Sequence, residues 1–426
     1  MPFSRFMVKN WLHLARFLET LVSMISLAQR MDWIKPSATL AMTAKAIALK
    51  AEGQDVISLS AGEPDYDTPQ WIKDAAIQAM VDGQTKYTPV GGTSLLKQAI
   101  IKKLKRDNGL VYEADQIVVG TGGKQVIFNG LMATINRGDE VIIPAPYWVS
   151  YPDIVSLFEG VPVFIECPIK NEFKLQPNQL ANSITPKTKW IILNSPSNPT
   201  GCVYSKDELL ALSEVLRINP HVNILTDDIY EYLLYDGNFF SNILSIAPNL
   251  YGRTLIVNGV SKAYSMTGWR IGYAAGPKQL IKAMTDLQSQ STSNPSSISQ
   301  AAAVAAINGP HDFLNEWRES FSKRRDFVLN ELANVPELQL IKPSGAFYLY
   351  IGCKGIIGKV TTQGNVIQND NDFCTYLLEE HGVAAVSGDG FGLSPYFRIS
   401  YATSQTNLAK ACDRIKAAVT ALRISR

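Results

Sequence analysis

Residues 116–135 read QIVVGTGGKQVIFNGLMATI. A short β-branched run gives way to a glycine turn, and beyond the turn apolar positions recur at intervals of three and four. That is the pattern of a strand passing through a tight turn into a helix. It repeats downstream: EVIIP (140–144) precedes a helix-like WVSYPDIVSLF, and VPVFIE (161–166) reads as the next strand. KWIILN (189–194) is followed by the turn-rich SPSNPTG and by a helix opened by a capping box, Ser205 with Glu208. NILTD (223–227), TLIVNG (254–259) and RIGYAA (270–275) continue the series. Strand runs that are apolar throughout, separated by helices, predict an α/β fold with a largely parallel sheet covered on both faces.

Beyond Gly309 the character changes. A charged helix, EWRESFSKRRDFVLNEL (316–332), precedes isolated strands such as GAFYLYI (345–351) and YFRISYA (396–402), and a terminal helix comes last. Three parts are expected: an N-terminal extension over 1–23, dispensable for function; a large α/β domain over 72–308; and a small α+β domain built from 24–71 and 309–426. In the extension, Trp11, Leu14, Phe17, Leu18, Leu21 and Val22 recur at helical spacing beside Lys9 and Arg16. A transit-type amphipathic helix is the alternative reading of that segment.

Composition removes several classes of function. The 426 residues carry 40 basic and 38 acidic side chains, a net charge of +2, which leaves no bulk attraction to nucleic acid or anionic lipid. The five cysteines are odd in number and contain no CxxC pair, which argues for a reducing, cytoplasmic compartment. His13, His221, His311 and His381 are scattered without an HExxH, so no zinc site is expected. The longest uncharged stretch, Leu287 to Pro310, is too rich in Ser, Gln, Asn and Thr for a membrane span.

Ligands of an open α/β sheet bind beyond the carboxyl ends of its strands, which directs attention to the residues just past each strand. Gly122 and Gly123 offer bare backbone N–H groups and a helix start to an anion. The loop matches neither the dinucleotide nor the P-loop pattern, and a plain strand–helix turn remains open. Asp227 ends NILTD and could hold a proton on a heteroaromatic nitrogen; the alternative is an N-cap, and Asp228 competes for either role. Lys262, in SKAYSMTGWR (261–270), is flanked by uncharged residues after a buried-looking strand. A lysine held there would have a lowered pKa and could attack a carbonyl. Arg270 could grip a phosphate.

Taken in order, Asn-Pro-Thr-Gly at 198–201, Asp227 with Tyr230, Ser261-Lys262 with Arg270, and Arg398 in FRIS resemble the class I/II aminotransferases of pyridoxal-phosphate fold type I. KPSATLAMTAKA (35–46), SAGEPDYDTP (60–69), KYTPVGG (86–92), GGKQ (122–125), PYWVSYP (146–152) and SGAFY (344–348) extend the resemblance to the bacterial-type aspartate aminotransferases, some of which also act on prephenate. The resemblance implies a mainly parallel seven-stranded sheet sandwiched by helices, a smaller α+β domain, pyridoxal 5'-phosphate as cofactor, and a homodimer with shared active sites. It implies that Lys262 is the Schiff-base lysine and that Asp227 pairs with the ring nitrogen, while Asn198 and Tyr230 bond the ring hydroxyl. Gly123 and Lys124 backbone amides, Ser261, Arg270 and a partner-subunit Tyr87 would hold the phosphate, and Trp148 would stack on the ring. Arg398, with Asn198 and the Gly62 backbone, would fix the substrate α-carboxylate.

Specificity is read less directly. The segment SQSTSNPSSISQ (289–300), where some aspartate aminotransferases carry an arginine for the distal carboxylate, has no basic residue. By resemblance to the bacterial branch, Lys124 and Thr39 take that role. The expected reaction is transfer of the amino group of aspartate or glutamate to a 2-oxo acid by a ping-pong route. Use of prephenate or aromatic substrates, β-elimination on the same scaffold, and a non-catalytic ligand sensor are the competing readings.

Overall fold

The computed structural model describes residues 25–34 and 37–424. The apolar positions between Trp11 and Val22, and the readings attached to them, lie outside those residues. The described residues ahead of 35 hold a 3₁₀ turn, Gln29–Trp33. The chain from residue 37 onward belongs to a separate compact unit.

The strands of this unit are, in chain order, β1 (Ile57–Ser58), β2 (Ile117–Gly120), β3 (Glu140–Ala145), β4 (Val161–Glu166), β5 (Thr188–Asn194), β6 (Asn223–Asp227), β7 (Thr254–Gly259) and β8 (Gly272–Ala275). They continue with β9 (Tyr348–Gly352), β10 (Lys359–Val360), β11 (Val383–Ala384), β12 (Val386–Ser387), β13 (Tyr396–Ser400) and β14 (Arg423–Ile424). Seven form one sheet in the order β2-β8-β7-β6-β5-β3-β4. Neighbours are parallel except β8, which runs antiparallel to both β2 and β7.

Side chains alternate across a strand, and both faces of this sheet are covered. Trp190, Ile192 and Leu225 pack on one face with Val126 and Leu131 of the helix Gly123–Met132. Ile191, Leu193 and Ile224 pack on the other with the helices Ser94–Asn108, Lys206–Arg217 and Ser297–Asn308. Each such aliphatic side chain, fully buried, contributes ~1.5–3 kcal/mol. Burial on both faces is why these strands read as unbroken apolar runs. The capping box of Ser205 and Glu208 opens the helix Lys206–Arg217 as predicted.

The sequence expectations fail in detail at three places. VPVFIE is not covered on both faces: β4 is the edge of the sheet, and Val161 and Phe164 are 46% and 50% exposed. The strand read at 270–275 begins at Gly272, because Arg270 takes a left-handed φ of 56° that breaks the extended run. The strand read at 345–351 begins at Tyr348, since Ala346, at φ 55°, turns the backbone just ahead of it.

The C-terminal part holds the antiparallel sheet β12-β13-β9 and the helices Phe313–Leu332, Asp370–His381 and Gln405–Ala421. β1 pairs in parallel with β11, and Ile57 and Leu59 share the core of these helices. Residues 57–59 are thereby tied to the C-terminal part of the chain. All five cysteines are buried and unbridged. Among the described residues no cluster of metal-ligating side chains occurs, and no helix is long and apolar enough to cross a membrane.

Candidate active site

Because β5, β6 and β7 are parallel, their carboxyl ends lie level, with Asn194 beside Asp227 and Asp227 beside Val257. The residues immediately beyond these strands converge on a cavity of about 260 Å³.

At one end of the cavity is the glycine turn. Gly122, with φ 86°, precedes the helix that starts at Gly123, and the first N–H groups of that helix have no partner within it. The turn rests directly on the sheet. A Cβ at Gly272 of β8 would lie 2.2 Å from the Gly123 nitrogen, so glycine is required where strand and helix start touch. The Arg270 guanidinium lies against Gly122, where an added Cβ would come within 2.3 Å of Nη2. Arg270 is held there by donating to the Thr267 carbonyl at 2.9 Å. Ser261 and the Lys124 side chain line the same cavity. The Lys124 ammonium stands 5.0 Å over the Trp148 ring, and burial, then the nearby Arg270 charge, lower its pKa. Backbone N–H groups, a helix start and two cations make a cradle for a phosphate-sized anion.

Asp227 and Lys262 stand further along the cavity. Burial pushes the Asp227 carboxyl up to about 6, against the opposing effects of the Tyr151 hydroxyl, the Ile229 N–H and the Lys262 charge. Among the described residues it has no ion-pair partner within 4.0 Å. Lys262 Nζ donates to the Gly62 carbonyl at 2.5 Å. Burial lowers its pKa to about 8, so about a tenth is free amine at pH 7, far more than for a solvated lysine. Tyr230 is buried beside it, and its hydroxyl shares a 2.9 Å hydrogen bond with that of Tyr348.

Arg398 of β13 closes the other side. It is 1% exposed, donating from Nη1 to Asn198 Oδ1 at 2.9 Å and from Nη2 to the Ser60 carbonyl at 2.7 Å. Its guanidinium lies between the rings of Tyr348 and Phe391, at 4.6 and 5.0 Å. Nε is buried with no hydrogen-bond partner. A buried cation costs several kcal/mol unless an anion accompanies it, and neutral acceptors alone surround this one.

The cavity is lined by Thr39, Gly62, Gly123, Lys124, Trp148 and Asn198, and equally by Asp227, Tyr230, Ser261, Lys262, Arg270 and Arg398. Tyr87 does not line it; its side chain is 93% exposed elsewhere on the surface. The competition between neighbouring aspartates is resolved by strand alternation. Asp228 turns to the opposite face, where it accepts from Thr226 at 2.6 Å and from Asn242, and burial raises its pKa to about 8. Among the polar cavity residues given no site role by the sequence reading are Ser37, Thr267 and Tyr151. Each lies inside a quoted motif, Ser37 in KPSATLAMTAKA, Thr267 in SKAYSMTGWR and Tyr151 three places after Trp148 in PYWVSYP.

A buried arginine lacking a counter-ion, beside a lysine poised as an amine, suits a site that binds a carboxylate and reacts through nitrogen, and the sheet beneath is that of the fold type I transferases. The chain belongs to the class I and II aminotransferases, a family that matches residues 54–415. It is similar to a probable aspartate/prephenate aminotransferase of Rickettsia felis, 57% identical over 392 residues that cover 92% of this chain and 96% of the relative. It is 56% identical to the aspartate aminotransferase of Rhizobium meliloti (strain 1021) over 391 residues, 92% of this chain and 95% of that one. The crystal structure of the Rhizobium meliloti aspartate aminotransferase matches with a TM-score of 0.91 at 54% identity, covering 94% of this chain and 100% of that one. The aspartate aminotransferase of Thermus thermophilus with maleate gives 0.87 at 41% identity, covering 93% and 100%.

Proposed function

We propose that the protein is a pyridoxal-phosphate-dependent aminotransferase that moves the amino group of aspartate or glutamate to a 2-oxo acid such as 2-oxoglutarate or oxaloacetate. The observation that carries this reading is the meeting, in one cavity, of an amine held near neutrality at Lys262, a carboxylate buried without a cation at Asp227, and a guanidinium buried without an anion at Arg398.

These residues fit the cofactor. Asp227 lacks the positive partner that a protonated ring nitrogen supplies, and the cradle at Gly122 and Gly123 lacks the anion that a phosphate supplies. Lys262 would attach covalently to the cofactor aldehyde. Gly123 and Lys124 backbone N–H groups, Ser261 and Arg270 would hold the phosphate, Trp148 would pack on the ring, and Asn198 and Tyr230 would bond its hydroxyl. When bound, the cofactor supplies an electron-withdrawing ring that accepts the electrons released as the substrate Cα–H bond breaks.

The chain's own residues do the rest. Asp227 keeps the ring nitrogen protonated by opposing its positive charge. Arg398, with Asn198 and the Gly62 backbone, clamps the α-carboxylate and fixes which Cα bond faces the ring. Lys262, as a free amine, would take the proton from the substrate Cα and return it to the carbon on the far side of the substrate nitrogen. Lys124 and Thr39 would receive the side-chain carboxylate of a dicarboxylic donor. What supports that last assignment is their position on the cavity wall and the dicarboxylate, maleate, that accompanies the Thermus thermophilus structure.

Two tests apply. Protein incubated with pyridoxal phosphate should turn yellow, and borohydride should fix the label on the peptide bearing Lys262. Aspartate and 2-oxoglutarate should then yield oxaloacetate and glutamate in equal amounts without ammonia; ammonia release would favour β-elimination instead. Prephenate as an amino acceptor is the second reading, favoured by the description of the Rickettsia relative, and rates with a panel of oxo acids decide it. We further propose a homodimer in which Tyr87 reaches the phosphate of the second copy. Its exposed side chain, away from the cavity of its own chain, supports this. Within the unit from residue 37 onward, the separate cores, one built around the main sheet and one around β9 and β13 with Ile57 and Leu59, support a large domain over 72–308 and a small one that joins the segment around Ile57 to 309–426.

A further inference from the structure

Asp227 must stay ionised at neutral pH in a place where burial opposes it, and one side chain outside the assigned set is aimed at that problem. Tyr151, 2% exposed, lies in the first turn of the helix Ser150–Leu157 and donates its hydroxyl to Asp227 Oδ2 at 2.8 Å. The same ring meets Trp148 edge-on, with centroids 5.2 Å apart and planes at 81°. One residue therefore braces both the carboxylate and the aromatic wall of the cavity.

We infer that Tyr151 is a positioning residue, whose hydroxyl holds the Asp227 carboxylate in its charged form and in line with the ring nitrogen of the cofactor. The inference rests on the proposed function and deepens it. The groups that face Asp227 are few. Lys262, after β7, stabilises its charge; Tyr230, three residues on, stays neutral; Asp228 is turned to the opposite face of the sheet. The other donor to the carboxylate, the Ile229 N–H, is long at 3.4 Å. Tyr151 is thus its one short donor among the described residues, and the largest effect opposing burial there. The Tyr151 hydroxyl itself remains protonated, because burial and the facing carboxylate push its pKa well up. It can donate across the working pH range.

Tyr151→Phe keeps the ring and its contact with Trp148 and deletes the hydroxyl alone. In the holoenzyme, the acid limb of kcat/KM and the pH-dependent visible absorbance of the bound cofactor should both move upward by about 1–2 pH units, the scale of a hydrogen bond to a charged group. Cofactor retention should weaken below that limb and recover above it. In an Asp227→Asn background the same deletion should change neither spectrum nor rate further, since the carboxylate through which Tyr151 acts is gone. Coincident pH profiles and spectra for Tyr151→Phe and the parent would overturn the inference, as would an equal effect in the Asp227→Asn background. A parent protein that takes up no pyridoxal phosphate would overturn the functional reading, and this inference with it.

Discussion

Replacing Arg398 by lysine tests the carboxylate clamp without removing its charge. The guanidinium spends Nη1 on Asn198 and Nη2 on Ser60 and keeps Nε unpaired, and its plane is pinned between Tyr348 and Phe391. A lysine offers a single nitrogen that cannot satisfy these acceptors and also present a fork to a carboxylate. The loss is then about one charge-assisted hydrogen bond in the transition state, ~1.5–3 kcal/mol. That converts to a fall in kcat/KM of roughly 10- to 150-fold. Both substrates of the full reaction carry the same α-carboxylate, so aspartate and 2-oxoglutarate should suffer alike. Coupled reduction of the oxaloacetate formed gives the rates, and the visible spectrum reports that cofactor binding survives. A fall of less than about threefold, on the same scale of one hydrogen bond, or a loss confined to one substrate, would refute the clamp.

Lys124→Ala should cut kcat/KM for aspartate by about tenfold or more, the worth of a hydrogen bond to a charge, while alanine as donor is nearly unaffected; equal losses would remove Lys124 from the distal subsite. Capture of pyridoxal phosphate by the cofactor-free protein should quicken by about tenfold per pH unit well below the Lys262 pKa of about 8 and level off above it. The sign is set by burial, which lowers the pKa and leaves the reactive amine charged only below that value; a rise continuing to about pH 10 would indicate a solvated lysine. Glu231 and Lys103 form an ion pair whose side chains are 3% and 2% exposed, and Asn108 and Asn258 donate to the same carboxylate. Glu231→Ala leaves that lysine buried without its counter-charge, with only the Asn108 amide oxygen to accept from it, at a cost of ~3–5 kcal/mol in urea unfolding, whereas Glu231→Leu with Lys103→Met should recover most of the loss.

The sheet was legible in the sequence because both of its faces are buried, so β3, β5, β6 and β7 carry unbroken apolar runs, with polar residues gathered toward the strand ends. The edge position of β4 was not, since VPVFIE has the composition of an inner strand and its neighbours are chosen by topology. The pairing of β1 with β11 joins distant segments of two residues each, too short for any periodicity. At the site, Lys262, Asp227 and Arg398 were legible through their places after or within strands and through the family resemblance. Tyr151 was hidden because a tyrosine on an apolar helix face looks like core, and the direction of one hydroxyl depends on how that helix docks. The missing counter-ion of Arg398 is likewise a fact of three dimensions.

The back-to-back setting of Asp227 and Asp228 has a consequence for how this gene can change. β6 is hydrogen-bonded on both sides, to β5 and β7, so it cannot slide to absorb an extra or missing residue. A single-codon deletion within 223–226 would exchange the two carboxylates, sending Asp228 toward the cavity and Asp227 into the packed interior. Length variation among descendants of this chain should therefore gather in the connection at 218–222, ahead of β6, and spare the strand itself.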